Sequence, residues 1–415
     1  MPSSRSRLNG AARGIRTGDW VTTSRIRTYS AMILAFAVLM FGALIGTSQR
    51  LNDYQGRPLG TDFSNVYAAG KWTLAGRPEA PFDPELQHEM EKQVFGPDTP
   101  LYGWHYPPMF LALAALLASL PYVPALLVWQ IATLAAYLAT MRAIIPRPEI
   151  WLPALAFPAV TLNIAHGQNG FLSAALFGGG LLLLDRRPVV AGTLIGLLCY
   201  KPQFGILIPL ALVAAGYWRA VFTAAATVIT VCALSWLAIG GGAWLAFYKS
   251  LEFTRTVVLE QGGTGFHKIQ SMFAAWRMWG APLDISYIAQ GTLSAIVAGL
   301  IFFLWRSPAA FALKAAALLI GAMLTTPYLL DYDLMLMAPA LAVFVAHATE
   351  GGFHSYERSA IAFCWIVPLV ARSVGEQTNT PLGLLALLLL FGLVLRRALA
   401  DCSSIPRVAV RRRVG

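Results

Sequence analysis

The residues able to do chemistry in this chain are few, and they come in short clusters. Asp62 opens "DFSN", about 15 residues past the first long apolar stretch. A carboxylate there can take a proton from a hydroxyl nucleophile, as a general base does. The same aspartate precedes the helix-like "VYAAGKWTLAG", which suits an N-cap; position leaves both roles open. Asn65 stands beside it as a hydrogen-bonding group. "WHYPP" sets His105 and Tyr106 ahead of a proline-started helix. The imidazole could meet a phosphate or a sugar hydroxyl, and the aromatics equally suit an interfacial belt. "HGQNG" places His166, Gln168 and Asn169 in a turn between two short apolar runs. Lys201 stands alone between two more. A lysine at membrane depth needs a partner, and a lipid phosphate is one; snorkelling to the interface is the alternative.

Two later clusters add charge. The connection 241–285 carries His267, Lys268 and Arg277, with Gln270 and Ser271 as hydrogen-bonding groups. A basic outer loop over a membrane cavity fits an anionic lipid head group, and a solvated loop is the plain alternative. "PYLLDYD" brings Tyr328, Asp331 and Asp333 to the start of a helix, where acids are favoured. A DxD can also hold a divalent cation, but chemistry on a lipid monophosphate does not require one, so no metal and no other cofactor is expected. There is no Walker loop, HExxH or GxSxG. The four cysteines have no CxxC spacing, and neither a disulfide framework nor a zinc site is expected.

The elements that must position these groups are membrane helices. The chain is 57% hydrophobic and 12% charged, with mean hydropathy +0.60, and its repeated apolar runs define an all-α polytopic membrane protein. The net charge of +11 sits at the termini and in short loops, as the positive-inside rule expects, so nucleic acid is not a partner. The basic tail 1–28, with Arg5, Arg7, Arg13, Arg16, Arg25 and Arg27, is placed in the cytoplasm, and so is the tail 397–415 with Arg407, Arg411, Arg412 and Arg413. Between them, 29–396 reads as one transmembrane domain.

Thirteen apolar runs can be counted, an odd number, while two cytoplasmic termini demand an even number of crossings. Basic residues at Arg142, Arg147, Arg186, Arg187, Arg219 and Arg306 mark cytoplasmic turns and single out 106–120, "YPPMFLALAALLASL", as the run that does not cross. It becomes a membrane-embedded helix of the first outer loop, 48–121, leaving about twelve crossings. Asp62, "HGQNG", Lys201, the loop 241–285 and "PYLLDYD" then all face outward.

Taken in order, these landmarks resemble family 87 of the glycosyltransferases, the large-fold type C (GT-C) class that includes mycobacterial phosphatidylinositol-mannoside mannosyltransferases. The elements are Asp62 to Pro78, "HYPPMF", "GQNG", "GTLIGLLCYKP" at 192–202, Gln270–Ser271 followed by Arg277, and "TPYLLDYD", across roughly residues 30–350. The resemblance implies a polyprenyl-phosphate sugar as donor, a lipid or glycan acceptor, and transfer of a hexose or pentose, mannose foremost, with inversion. Transfer would occur on the outer face of a bacterial inner membrane. It implies Asp62 as the base, and no nucleotide. It leaves Lys201, His267, Lys268 and Arg277 as candidates for the phosphate. Asn65, His105, Tyr106, His166, Gln168, Asn169, Gln270, Ser271, Tyr328, Asp331 and Asp333 remain for sugar or acceptor. "PYLLDYD" departs from the mycobacterial members, which often carry histidine there, so their inositol-lipid specificity does not transfer. The competing class is a transporter or flippase of lipid-linked sugars. That class commonly shows two similar halves, and no internal repeat is evident.

Overall fold

The computed structural model describes residues 12–404. Arg5 and Arg7 of the first tail, and Arg407, Arg411, Arg412 and Arg413 of the last, lie outside the described residues. Within them the fold is helical, with a few isolated β-bridges and no strands. Seven helices are long and apolar enough to cross a bilayer: Thr23–Gly46, Tyr122–Ile144, Trp218–Ile239, Leu283–Arg306, Asp331–Gly351, Glu357–Thr378 and Leu382–Cys402. Five shorter apolar helices accompany them. Leu39 is 74% exposed and Leu237 81%; on a polytopic chain such side chains face acyl tails rather than water.

Local chemistry sets the ends. The first helix starts at Thr23 because the Thr22 hydroxyl accepts from the Arg25 amide, so Arg25 and Arg27 lie on its first turns rather than in a tail. One apolar run that reads as continuous is cut by proline, which brings no amide hydrogen. The run 150–165 becomes Trp151–Leu155 and Pro158–His166. Pro188–Gly196 tightens into a 3-10 turn, Leu197–Tyr200, and the chain resumes as a helix at Leu207. These interruptions leave Gln168, Asn169 and Lys201 at helix ends inside the protein, where irregular backbone must find internal partners.

One end of the bundle carries a layer of short elements. Phe63–Leu74 packs on Met109–Ala118, the helix of the embedded 106–120 run. With 10 residues it is about 15 Å long, half of a bilayer's apolar core, and cannot cross alone. The two helices approach so closely at Gly70 that a β-carbon there would collide with the Ala114 carbonyl. Pro84–Phe95 is capped by Asp83, whose Oδ1 accepts from the Glu85 and Leu86 amides. Its Glu91 is fully buried and accepts from the Tyr102 amide at 3.0 Å. Burial pushes that carboxyl up to about 8. The connection 241–285 is largely helical instead of an extended loop. Gly241–Phe253 runs into a π-helical stretch, Thr254–Glu260, followed by Phe266–Lys268 and Met272–Met278.

The opposite end holds a different network. Glu357 is fully buried and meets Arg397 at 2.7 Å. Arg397, the first residue of the expected C-terminal tail, therefore belongs to the core: the last helix runs Leu382–Ser404, because a buried carboxylate needs a partner cation. The N-terminal segment docks nearby. The Tyr356 amide donates to the Arg16 carbonyl at 2.7 Å, and the Trp20 indole donates to Ser359 Oγ at 2.9 Å.

Candidate functional site

Asp62 occupies the N-cap position of Phe63–Leu74, yet its side chain caps nothing. Its Oδ2 accepts instead from Gln168 Nε2 at 2.6 Å. Two further bonds tie the segments together: the Asp62 amide donates to the His166 carbonyl at 2.9 Å, and Thr61 Oγ1 lies 2.6 Å from His166 Nδ1. The turn needs glycine at 167. Gly167 has φ +64°, and a β-carbon there would run into Phe63. Its carbonyl accepts from the Trp129 indole at 3.1 Å.

The Gln168 amide cannot turn over without loss. Its Oε1 accepts from the Asn169 amide at 3.3 Å and faces the Tyr106 hydroxyl at 3.4 Å. That hydroxyl accepts from Asn169 Nδ2 at 2.7 Å. With the oxygen committed to donors, the –NH2 must face the carboxylate, and Asp62 is oriented by a chain running Asn169, Tyr106, Gln168. Asp62 is half-buried, so the carboxylate is held and still reachable.

Asn163 links this turn to "PYLLDYD". Its Oδ1 accepts from the Gly170 amide at 2.9 Å, and its Nδ2 donates to the Tyr332 carbonyl at 2.9 Å. The two aspartates then diverge. Asp333 pairs with Lys201 Nζ at 2.6 Å, both side chains buried, and the ammonium sits over the Tyr332 and Phe204 rings. Asp331 accepts from the Tyr332 amide and lies 3.9 Å from Arg372 Nη1. A DxD that aims its carboxylates at two different cations is not arranged as a chelate. Among the described residues no three His, Cys, Asp or Glu side chains converge.

The candidate cations separate in the same way. Lys201 is neutralised by Asp333. Arg277 donates to the Ala281 carbonyl at 2.7 Å and lies over Phe266, which makes it a brace for its loop. His267 and Lys268 remain, on the turn Phe266–Lys268. That turn is fixed from two sides. The His267 backbone rests against Gly375 of Glu357–Thr378, and Gln270 staples it to the rest. The Gln270 amide donates to the Leu329 carbonyl at 2.6 Å, its Nε2 to the His267 carbonyl, and its Oε1 accepts from the Gly383 amide. Ser271 caps Met272–Met278, and Tyr328 packs beside Ile269 and Leu330. Gln270, Ser271 and Tyr328 thus shape the site through backbone and packing. Burial, and after it Arg372, draws Lys268 below the ordinary lysine range, while burial lowers His267.

His105 stands at the rim, with Nδ1 2.9 Å from Thr254 Oγ1. Burial pushes its imidazole down to about 4, so at neutral pH it carries no charge for a phosphate. Asn65 is buried, its Oδ1 without a hydrogen-bond partner. The residue that sequence reasoning passed over is Arg372. It sits just past the expected apolar run 359–371, inside a helix that continues to Thr378. An arginine at the end of an apolar run was the available signal.

A half-buried, oriented carboxylate at one end of a polytopic helical protein suits a membrane glycosyltransferase, and the class is shown by the family match. The model of glycosyltransferase family 87 matches residues 104–327, a little over half of the chain, and the chain belongs to that family. The match begins after Asp62 and ends before Asp331 and Arg372. No curated protein and no solved structure matches the chain.

Proposed function

We propose that this glycosyltransferase moves a hexose or pentose, mannose foremost, from a polyprenyl-phosphate sugar to a hydroxyl of a lipid or glycan acceptor. The reaction takes place at the extracytoplasmic face of a bacterial inner membrane, in a GT-C type fold with both termini in the cytoplasm. Asp62 takes the acceptor proton. The acceptor oxygen bonds to the anomeric carbon from the face opposite the phosphate. The bond from that carbon to the phosphate oxygen breaks with its electron pair, and polyprenyl phosphate leaves. Inversion follows from the single displacement.

The observation that carries the reading is the state of Asp62: it leaves its own helix uncapped and is held at 2.6 Å by an amide whose orientation is locked. Three carboxylates face the region, Asp62, Asp331 and Glu376, together with Lys268 and Arg372. Acid and cation are therefore available within one site for proton removal and for a leaving phosphate. Incubating the purified protein with a panel of polyprenyl-phosphate sugars tests the reading. Consumption of one of them, with release of polyprenyl phosphate and a new glycoside, is expected. Flipping of lipid-linked sugar in vesicles with no glycoside formed would instead point to a transporter.

A further inference from the structure

We infer that Arg372 and Lys268 form a phosphate-binding site for a polyprenyl-phosphate head group, with Arg372 supplied by a helix beyond the stretch that matches the family. The inference rests on the proposed reaction and names the pair that takes its leaving group.

A head group at this end needs cations that are not already committed. Lys201 is bound to Asp333 at 2.6 Å. Arg277 keeps its charge, but it is held in its own loop by the Ala281 carbonyl at 2.7 Å and the Phe266 ring, with its Nε buried. Arg57 is paired with Asp53 at 3.1 Å, and Arg255 with Glu252 at 2.7 Å. The Lys268 ammonium makes no hydrogen bond and no ion pair among the described residues, and only the backbone amide is bonded, to the Gly265 carbonyl. Arg372 stands only 3.9 Å from Asp331, outside hydrogen-bonding distance, and its side chain is 37% exposed while that of Asp331 is 4% exposed. Its guanidinium is therefore retained near the site without being consumed by a bidentate pair, and its fork remains available to phosphate oxygens.

The two cations are brought together by the fold. Gly375 lies one turn beyond Arg372 on Glu357–Thr378, and the absence of a side chain there lets the His267 backbone rest on that helix. The bridge between Ile269 and Leu330, with the staple of Gln270, ties the same turn to the Asp331 segment. Burial, and after it the like charge of Arg372, lowers Lys268, while Asp331, Asp62 and Glu376 act the other way. Asp331 Oδ2, the oxygen nearest Arg372, has no hydrogen-bond partner, so the pairing leaves the guanidinium hydrogens unused. Asp62, Asp331 and Glu376 oppose an anion. That opposition favours a head group that meets the guanidinium from its open side and keeps its lipid tail among the apolar helices.

The test measures binding of polyprenyl monophosphate, uncharged polyprenol and inorganic phosphate to the purified full chain in lipid nanodiscs. The proteins compared are the wild type, Arg372→Gln, Lys268→Gln and Arg372→Lys, with Arg77→Gln as a rim control. The two Gln variants should bind polyprenyl monophosphate about ten-fold or more weakly and polyprenol as before. Arg372→Lys should recover part of the loss, which separates missing charge from misfolding. Arg77→Gln should match the wild type. Equal affinity for polyprenyl monophosphate in wild type and Arg372→Gln would overturn the site. Inorganic phosphate competing as well as the lipid would overturn its assignment to a lipid head group. Absence of sugar transfer by the wild type would reject the reaction proposed above but leave this binding comparison standing.

Discussion

At the scale of single residues, what distinguishes Asp62 is the company it keeps. Its hydrogen bond from Gln168 spans 106 positions of sequence, and the amide that donates it is locked by Asn169 and Tyr106. Gln168→Leu should therefore lower the turnover number about ten- to hundred-fold and leave the KM for donor within a few-fold, because it releases the carboxylate rather than a substrate contact. Steady-state kinetics over a donor series reads both numbers, and an effect confined to KM would contradict the orienting role. Tyr106→Phe should act in the same direction and more weakly, since Asn169 still donates its amide hydrogen to Gln168. Sequence placed Asp62, Gln168, Asn169 and Tyr106 among the candidates but could not join them. For Asp62 the choice between base and N-cap turned on a contact whose two ends are set by separate helices. Lys201 shows the converse: read alone it looked like a phosphate ligand, and its partner Asp333 lies 132 positions away.

At the scale of elements, proline and glycine do the positioning. The apolar runs were legible because their hydropathy is strong. The breaks at Pro188 and Pro202 were legible as ends of runs, whereas the one inside 150–165 was not, since Pro158 begins a helical piece without lowering hydropathy. Charge parity singled out the 106–120 run, and its helix of 10 residues is too short to cross alone. Gly70→Ala should strain its packing on Phe63–Leu74, lowering stability by about 1–3 kcal/mol; a thermal midpoint in detergent equal to that of wild type would contradict the close approach. Glu91 in the neighbouring helix offers a pH test. Its folded carboxyl titrates at about 8 against 4.5 unfolded. The folded state thus holds a proton that the unfolded chain releases, and this contribution is full below the unfolded value and lost as pH rises through the folded one. Glu91→Gln mimics the neutral acid, so its midpoint should gain on wild type between about pH 5 and about pH 9. Parallel curves would contradict a buried neutral Glu91.

At the scale of the whole molecule, the polar turns gather at one end and most basic connections at the other. Arg186 is exposed on the connection after Gly170–Leu183, and Asp98 is exposed beyond Pro84–Phe95. In intact cells, Asp98→Cys should react with a membrane-impermeant thiol reagent, whereas Arg186→Cys should react only after the membrane is opened. The reverse pattern would contradict the orientation. Arg397 and Arg372 mark where sequence reading stopped short. Both lie just past an apolar run, and a charge there looks like a flank until the helix is seen to continue and a buried partner such as Glu357 is found for it.

The central claim is that Asp62 removes the acceptor proton, and its most direct test is sugar transfer by Asp62→Asn with whichever polyprenyl-phosphate sugar the wild type consumes. Asparagine keeps the size and can still meet Gln168, so the fold and the binding of polyprenyl phosphate should survive while turnover falls about a thousand-fold. Turnover within about two-fold of wild type, with binding intact, would contradict the assignment of Asp62 as the base.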